Sequence, residues 1–317
     1  MSDTAHFVRA DVQAFLGMLE AMNRPQLHEM ELEEAREATR TMARMADADA
    51  RDLPVIRDLT CPGPAGDIPL RLYDSQETPS ERPTIAFFHG GGFTIGCLES
   101  YHNLCTEIAA ETGLPVVSVD YRLAPEHPFP AAPEDCEAAA RWIASNPEAL
   151  GLKTTGLVTM GDSAGGNLTI VITQALADSP ANVPIVMQVP IYPIASPVTK
   201  HASFAAFGEG FLLTQEAMGW FTDCYAADED SLKNYPIKWE NHGKTPPTVL
   251  ITAGLDPLRD SGREYAAHLI QSGVDVTYLE MRGTIHGFVN IRKAIPSAAK
   301  DMAAMFAAMR MTLENNA

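Results

Sequence analysis

A serine set between two glycines, Gly161-Asp162-Ser163-Ala164-Gly165, is the stretch whose residue types and spacing best fit covalent chemistry. The four residues before it, Leu157 to Met160, read as a buried strand, and the apolar stretch Leu168 to Leu176 reads as a helix that follows at once. A serine on such a strand-to-helix turn sits on strained backbone, so its neighbours must be small, and Gly161 and Gly165 let the two elements approach. The turn holds the Ser163 hydroxyl out at the strand's end. It also sets the Ala164 amide at the helix start, where the positive end of the dipole favours developing negative charge. The five-residue pattern by itself also fits an incidental serine in a glycine-rich turn, so the argument passes to its partners.

A serine nucleophile needs a base to take its proton and an acid to orient that base; with a nucleophile on a strand-to-helix elbow of this kind, both follow it along the chain, each on a loop at a strand's carboxyl end. After the apolar run Thr248 to Thr252 comes Ala253-Gly254-Leu255-Asp256-Pro257-Leu258-Arg259-Asp260, which places Asp256 on the loop. Asp260 competes, but Ser261 followed by Glu264 reads as a capping box and puts Asp260 at the mouth of the next helix. Two histidines follow. His268 falls inside a helical pattern, whereas His286 lies in Gly283-Thr284-Ile285-His286-Gly287-Phe288, just beyond a strand and free to reach the serine. The oxyanion produced by attack needs bare amides, and Phe88-His89-Gly90-Gly91-Gly92-Phe93 supplies them. The predicted donors are Gly90, Gly91 and Ala164, with His89 bracing the loop.

The elements that must position these residues follow from periodicity. Phe7 to about Ala50 reads as helical, with Phe15, Leu16, Leu19 and Met22 on one face, a break at Pro25, and Leu32, Ala35, Thr39, Met42 and Met45 beyond it. The methionines of this region, Met18, Met22, Met30, Met42 and Met45, read as core filler. Val55 to Thr60 and Ile68 to Tyr73, joined by a Pro/Gly turn, form an antiparallel pair. Short Val/Ile runs then alternate with helices: Thr84–Phe88, Val116–Asp120, Leu157–Met160, Ile185–Val189, Val249–Thr252 and Val274–Met281, with helices including Glu134–Ser145 and Ser261–Ser272. Continuous apolar strands separated by helices mean an α/β protein with a mostly parallel sheet covered on both faces. The stretch Lys200 to Tyr235 breaks the rhythm and is rich in aromatics, among them Phe204, Phe207, Phe211, Trp220 and Phe221; it reads as an inserted helical cap.

The chain has 317 residues, enough for a large single α/β domain. Its 23 basic and 41 acidic residues give a net charge of −18, which repels phosphate backbones and anionic membrane surfaces and argues against a nucleic-acid partner. Five cysteines, odd in number and without a Cys-x-x-Cys pair, point to neither a disulfide framework nor a zinc site. With no basic region before an apolar run in Met1 to Thr4, and no apolar stretch approaching the length of a membrane span, the expectation is a cytoplasmic protein without a membrane anchor.

Together, His89-Gly90-Gly91-Gly92, Asp120-Tyr121-Arg122-Leu123-Ala124-Pro125-Glu126, Gly161-Asp162-Ser163-Ala164-Gly165-Gly166, Asp256-Pro257-Leu258 and His286-Gly287-Phe288 resemble the motifs of the bacterial hormone-sensitive lipase family of carboxylesterases, within the α/β-hydrolase fold. The resemblance covers most of the chain after about residue 50. It implies an N-terminal helical cap segment over 1–50 and a catalytic domain over 51–317, to which 198–235 adds further cap helices. It also implies small esters of short to medium acyl chains as substrates, and Phe204, Phe207, Phe211, Leu212 and Trp220 as the substrate pocket. Asp120 to Glu126 becomes a bracing loop. A Ser-His-Asp mechanism requires no metal or organic cofactor. The same triad also cleaves amides, carbamates and lactones. By family analogy and position the strand Val274–Met281 lies near a sheet edge and pairs with a second copy in a homodimer. Two other classes compete. Gly90-x-Gly92-x-x-x-Gly96 after a strand, with Asp120 ending the next, superficially resembles a dinucleotide site, but leaves Ser163, Asp256 and His286 unexplained. A non-catalytic ligand receptor on the same fold would not need all three.

Overall fold

Val- and Ile-rich runs buried on both faces must lie side by side between two helical layers, and they do so in the computed structural model, which describes residues 6–23, 25–78 and 80–316. The reading of Met1 to Thr4 falls outside these residues. The strands are β1 (Val55–Gly63), β2 (Gly66–Asp74), β3 (Glu81–Phe88), β4 (Val116–Val119), β5 (Lys153–Asp162), β6 (Ile185–Ile191), β7 (Thr248–Leu255) and β8 (Val276–Ile285). They form one sheet in the order β1-β2-β4-β3-β5-β6-β7-β8. β2 runs antiparallel to both β1 and β4, and every pairing from β4 to β8 is parallel. The antiparallel pair closes on a tight turn, with Gly63 opposite Gly66.

The helices are α1 (Ala10–Met22), α2 (Leu32–Ala46), α3 (His102–Thr112), α4 (Ala131–Ala144), α5 (Ala164–Asp178), α6 (Ala202–Phe207), α7 (Gln215–Tyr225), α8 (Arg259–Gln271) and α9 (Ala298–Asn315). Successive residues of a strand face opposite layers, and β3 shows both. Ile85 and Phe87 pack with Leu104 and Ile108 of α3 and Met302 and Phe306 of α9. Ala86 and Phe88 pack with Ala139 and Ile143 of α4 and Leu168 and Ile172 of α5. The α/β-hydrolase architecture expected from the alternation is therefore present. Among the described residues no helix is long and apolar enough to cross a membrane.

Three local expectations are corrected. α8 begins at Arg259 rather than at a Ser261 cap, and its N-cap Leu258 offers no side-chain hydrogen bond. The Ser261 hydroxyl is buried and accepts from the Ala195 and Ser196 amides at 2.9 and 3.1 Å, so the serine serves tertiary packing rather than helix capping. Second, the N-terminal methionines are not uniformly core: Val12 and Phe15 carry the buried face of α1, while Met18, Met22 and Met45 are exposed. Third, β8 runs four residues further than its apolar run indicated, to Ile285, because its distal part is still paired with β7.

The N-terminal helices are tied down by charge as well as by apolar contact. Arg9 donates its amide to Gly283 O beyond the middle of β8 and pairs with Asp301 of α9. Asp47, just past α2, receives Arg292 in a bidentate pair at 2.7 and 2.8 Å, both residues buried. A pair of this kind tolerates little displacement, because a lone buried charge is costly. It pins the end of α2 to the segment that follows β8.

Candidate active site

β5 delivers Ser163 at its carboxyl end, and the backbone there is as strained as the glycine spacing demands: Ser163 has φ 56° and ψ −118°. A Cβ on Gly165 would stand 1.9 Å from Phe88 O, and one on Gly161 2.3 Å from the same oxygen. No side chain fits at either position, which is the packing reason for a small residue on each side of the elbow.

The loops after β7 and β8 bring two side chains to this serine. His286 Nε2 lies 2.9 Å from Ser163 Oγ, and His286 Nδ1 lies 2.7 Å from Asp256 Oδ2. Asp256 has no exposed surface; its other oxygen accepts the Leu258 amide at 2.8 Å, which fixes the carboxylate plane. With Nδ1–H donating to Asp256, Nε2 is left as an acceptor for the serine hydroxyl. Asp260, the competing acid, faces elsewhere: it accepts the Ser203 amide and pairs with Arg259 and Arg263. His268 is exposed on α8. Three residues read as separate signals thus form one hydrogen-bonded line across the ends of β5, β7 and β8, with β6 lying between the first two.

The glycine loop after β3 lies beside this line, and here one expectation is corrected. The Gly90 amide donates to Asp162 Oδ1 at 2.8 Å, so its hydrogen is spent inside the protein and is not free for a substrate oxygen. Among the described residues no acceptor is found for the amides of Gly91, Gly92 or Ala164. Gly91 and Gly92 have φ of 115° and 57°, a region that side chains disfavour. His89 behaves as a brace. It is fully buried, stacks on Tyr121 at 4.2 Å, donates Nδ1–H to Gly90 O at 2.8 Å, and burial pushes its pKa down to about 4, so the ring is neutral. The Tyr121 hydroxyl donates to His89 O at 2.7 Å. The run Gly90 to Gly96 does not open a helix directly, since α3 begins only at His102, which removes the helix N-terminus a dinucleotide pyrophosphate would need.

The charged loop after β4 braces the same region. Arg122 forms a bidentate pair with the buried Asp135 of α4. Glu126 takes both nitrogens of Arg36, from α2, at 2.7 Å, and Arg36 also donates to Thr94 O and Ala124 O.

Above the line sit α6 and α7. Phe207 is 1% exposed, in edge-on contact with Phe211 and beneath the Arg259 guanidinium at 4.9 Å. It belongs to the core under the cap, and the expectation that it walls the pocket is corrected. Phe204, Phe211 and Trp220 are half-buried. Leu212 is exposed and reaches the His286 loop, 3.9 Å from where a Cβ on Gly287 would be. Phe221 lies against Gly92 so closely that a Cβ there would fall within its ring. Tyr225, at the end of α7, stacks on Phe93 at 3.8 Å. Tyr192 and Asp162 were not singled out by sequence reasoning, and Gly92 and Phe221, though within the glycine loop and the aromatic insertion, were not assigned to the site; Asp162, beside the nucleophile within its motif, carried a signal that could have found it.

A serine, histidine and aspartate so aligned at the carboxyl ends of a parallel sheet define a hydrolase. A family model described as the alpha/beta hydrolase fold matches residues 85–290, and the chain belongs to that family, in its hormone-sensitive-lipase-like group of ester hydrolases. It is 32% identical over 316 residues to the ethyl acetate hydrolase of Pseudomonas putida, covering 96% of this chain and 98% of that one. It is 37% identical over 263 residues to the esterase LipI of Mycobacterium tuberculosis, covering 81% and 82%. Among solved structures, the ester hydrolase EH1AB1 from the metagenome of Lake Arreo, complexed with a bipyridine phosphonate derivative, superposes with a TM-score of 0.90 at 35% identity over 95% of this chain and 98% of that one.

Proposed function

We propose that this protein is a serine carboxylesterase that hydrolyses short- to medium-chain acyl esters through an acyl-enzyme. The observation that supports this most is the line Ser163–His286–Asp256, at 2.9 and 2.7 Å, on an elbow that only glycine flanks could make. In this reading His286 takes the Ser163 proton as Oγ adds to the ester carbonyl, and the buried Asp256 carboxylate stabilises the imidazolium. The carbonyl oxygen becomes an oxyanion and receives the amides of Ala164, Gly91 and Gly92, the last replacing Gly90 in the predicted set. His286 then gives its proton to the departing alcohol. Water repeats the sequence on the acyl-enzyme and frees Ser163.

The helices of residues 1–50 and of 198–235 act as the lid over this site, with Phe204, Phe211, Leu212, Trp220 and Phe221 bounding the acyl pocket. A relative named for ethyl acetate supports a small acyl group. β8 ends the sheet, and the part of its edge before Arg282, ahead of the Arg9 contacts, is where a second copy would add its own β8. Light scattering of the purified protein reads that state directly, a monomer mass excluding it.

The test of the nucleophile is stoichiometric labelling. Diethyl p-nitrophenyl phosphate should release one equivalent of p-nitrophenolate per chain and leave a diethylphosphoryl group on the peptide carrying Ser163, with parallel loss of p-nitrophenyl acetate turnover. A label on another residue, or full turnover after labelling, overturns the reading.

A further inference from the structure

The oxyanion loop is held to the nucleophile elbow by the Asp162 side chain, which the triad does not include. Asp162 Oδ1 accepts the Gly90 amide at 2.8 Å, while Oδ2 accepts the Tyr101 hydroxyl at 3.1 Å and the Tyr192 hydroxyl at 3.2 Å. These donors come from three separate places: the loop after β3, the residue before α3, and the residue after β6. The side chain is 2% exposed, and among the described residues no lysine, arginine or histidine lies within ion-pair distance of it. A buried carboxylate without a cation is an expensive way to hold a loop, because hydrogen bonds alone rarely offset its desolvation.

The positions of its partners give the charge a use. Tyr192 sits at φ 34°, a conformation disfavoured for a tyrosine, and its ring packs against the His286 imidazole at 4.4 Å between centroids. We infer that Asp162 is a positioning residue that works in its ionised form, seating the oxyanion loop through Gly90 and facing His286 through Tyr192 as a second negative charge. This deepens the proposed esterase mechanism and rests on it. When His286 becomes an imidazolium, Asp256 meets it directly and Asp162 from beyond the tyrosine. When Asp162 takes a proton, that charge is lost and Gly90 faces a weaker acceptor, so Gly91 and Gly92 lose the anchor that places them.

The groups facing Asp162 are consistent with titration in a useful range. They are Tyr101, Tyr121, Tyr192, Cys105 and His286, with the neutral His89 behind Gly90. Burial pushes the Asp162 pKa up, the His286 charge and the three hydrogen bonds oppose it, and the balance lies at about 6. A carboxyl raised in the folded state binds its proton more readily there than in the unfolded chain. Its ionisation therefore lowers stability as pH rises from the unfolded value to about 6, and the full cost persists above that.

The test is Asp162→Asn, which keeps the shape and the acceptor toward Gly90 but removes the charge. The expected result is a fall in kcat of about 10- to 100-fold with KM changed by less than about threefold, since misplacement of catalytic groups acts on the transition state. In the native enzyme the acid limb of log kcat/KM against pH should be steeper than a single protonation. In Asp162→Asn it should have unit slope and lie at lower pH, because one of the two deactivating protonations is gone. The thermal midpoint at pH 7 should be no lower than native. A lowered midpoint with an unmoved acid limb would reduce Asp162 to a structural hydrogen-bond hub and sink the inference. Should Asp162→Asn fail to fold, Tyr192→Phe removes one donor to the carboxylate and should move the limb to higher pH; an unmoved limb there has the same force. Labelling of Ser163 by the organophosphate separates the two layers. If Ser163 is labelled but the limb does not move, only Asp162's role fails; if Ser163 is never labelled, the esterase mechanism itself does.

Discussion

The floor of the site and its lid are built on opposite plans. On the floor every reacting group stands at the end of a paired parallel strand, Asp256 is fully buried, and no Cβ fits at Gly161 or Gly165. The lid proposed above would be made of four helices, α1, α2, α6 and α7, that leave Met18, Met22, Met45 and Leu212 in solvent, Met45 at 70% exposure. Beside its anchors at Arg9–Asp301 and Asp47–Arg292, it meets the floor at Arg36 on Glu126 and Thr94, Phe221 on Gly92, Tyr225 on Phe93 and Leu212 near Gly287. Chemistry is thus assigned to strand ends that cannot shift without clashes, whereas under the proposed reading the choice of substrate falls to helices that are firmly anchored chiefly at Arg9–Asp301 and Asp47–Arg292. Mutations on the floor should act on kcat, and mutations in the lid on the ranking of substrates.

The sharpest way to expose the floor's side of this contrast is Ser163→Ala. Losing a triad nucleophile costs about 10⁶-fold in turnover, and the drop should be the same for every acyl length because the missing atom is common to all. A variant retaining more than about a tenth of native p-nitrophenyl acetate turnover removes Ser163 from the mechanism. Next in size is the acid. Asp256→Asn should lower kcat by up to about 10⁴-fold, since the imidazole loses the partner that selects its tautomer. Asp260→Asn should leave kcat nearly native and lower the thermal midpoint, because Asp260 joins Ser203 of α6 to Arg259 and Arg263 of α8. If the two variants rank in the opposite order, the acid has been misassigned.

The same contrast governs what the residues themselves disclosed. Ser163, Asp256 and His286 were legible because each carries a local mark, a glycine-flanked elbow or a loop just past an apolar run, and because their chain order is constrained. The sheet was legible for a related reason: alternation of Val/Ile runs with helices is a pattern of neighbours. What escaped depends on contacts between distant residues. Gly90 looked as suitable an oxyanion donor as Gly91 until its amide was found on Asp162, 72 positions away. Ser261 and Glu264 had the spacing of a capping box, yet the hydroxyl is claimed by Ala195 and Ser196 from another loop. Phe207 was one aromatic among five in the cap, and only packing against Arg259 and Phe211 separates it from the half-buried others. Met18 and Met45 obey helical spacing but meet no second layer, so periodicity promised burial that the lid does not provide.

The smallest expected effect tests the lid, and it falls on the contact that reaches closest to the oxyanion loop. Arg36 is rooted in α2, yet its guanidinium holds Glu126 with both nitrogens and donates to Thr94 O, and the Thr94 hydroxyl in turn donates to Gly92 O at 3.0 Å. The Arg36 side chain is largely buried while Glu126 is half in solvent. The ion pair itself is therefore a modest contribution, about 1 kcal/mol or less, and global unfolding is not expected when it is lost. Asp47–Arg292 still pins the C-terminal end of α2, so what Arg36→Ala removes is the fixed distance between the first half of α2 and the floor. In a closed pocket each methylene of the acyl chain adds up to about 0.8 kcal/mol of burial, about fourfold in affinity, until the space is full. With the lid fixed, kcat/KM on p-nitrophenyl esters should peak at about two to six acyl carbons and fall steeply by about twelve, once added carbons no longer find apolar surface. With that half of α2 released, KM for the preferred ester should rise by about three- to tenfold, at most the energy of the contacts given up. Longer chains should lose less than short ones, so the length profile flattens while kcat for acetate stays within about threefold of native. A length profile that keeps its shape in Arg36→Ala would show that α2 does not set the depth of the pocket. The limit on acyl size would then have to come from α6 and α7, where Phe221→Ala, facing Gly92, would be the variant to flatten it.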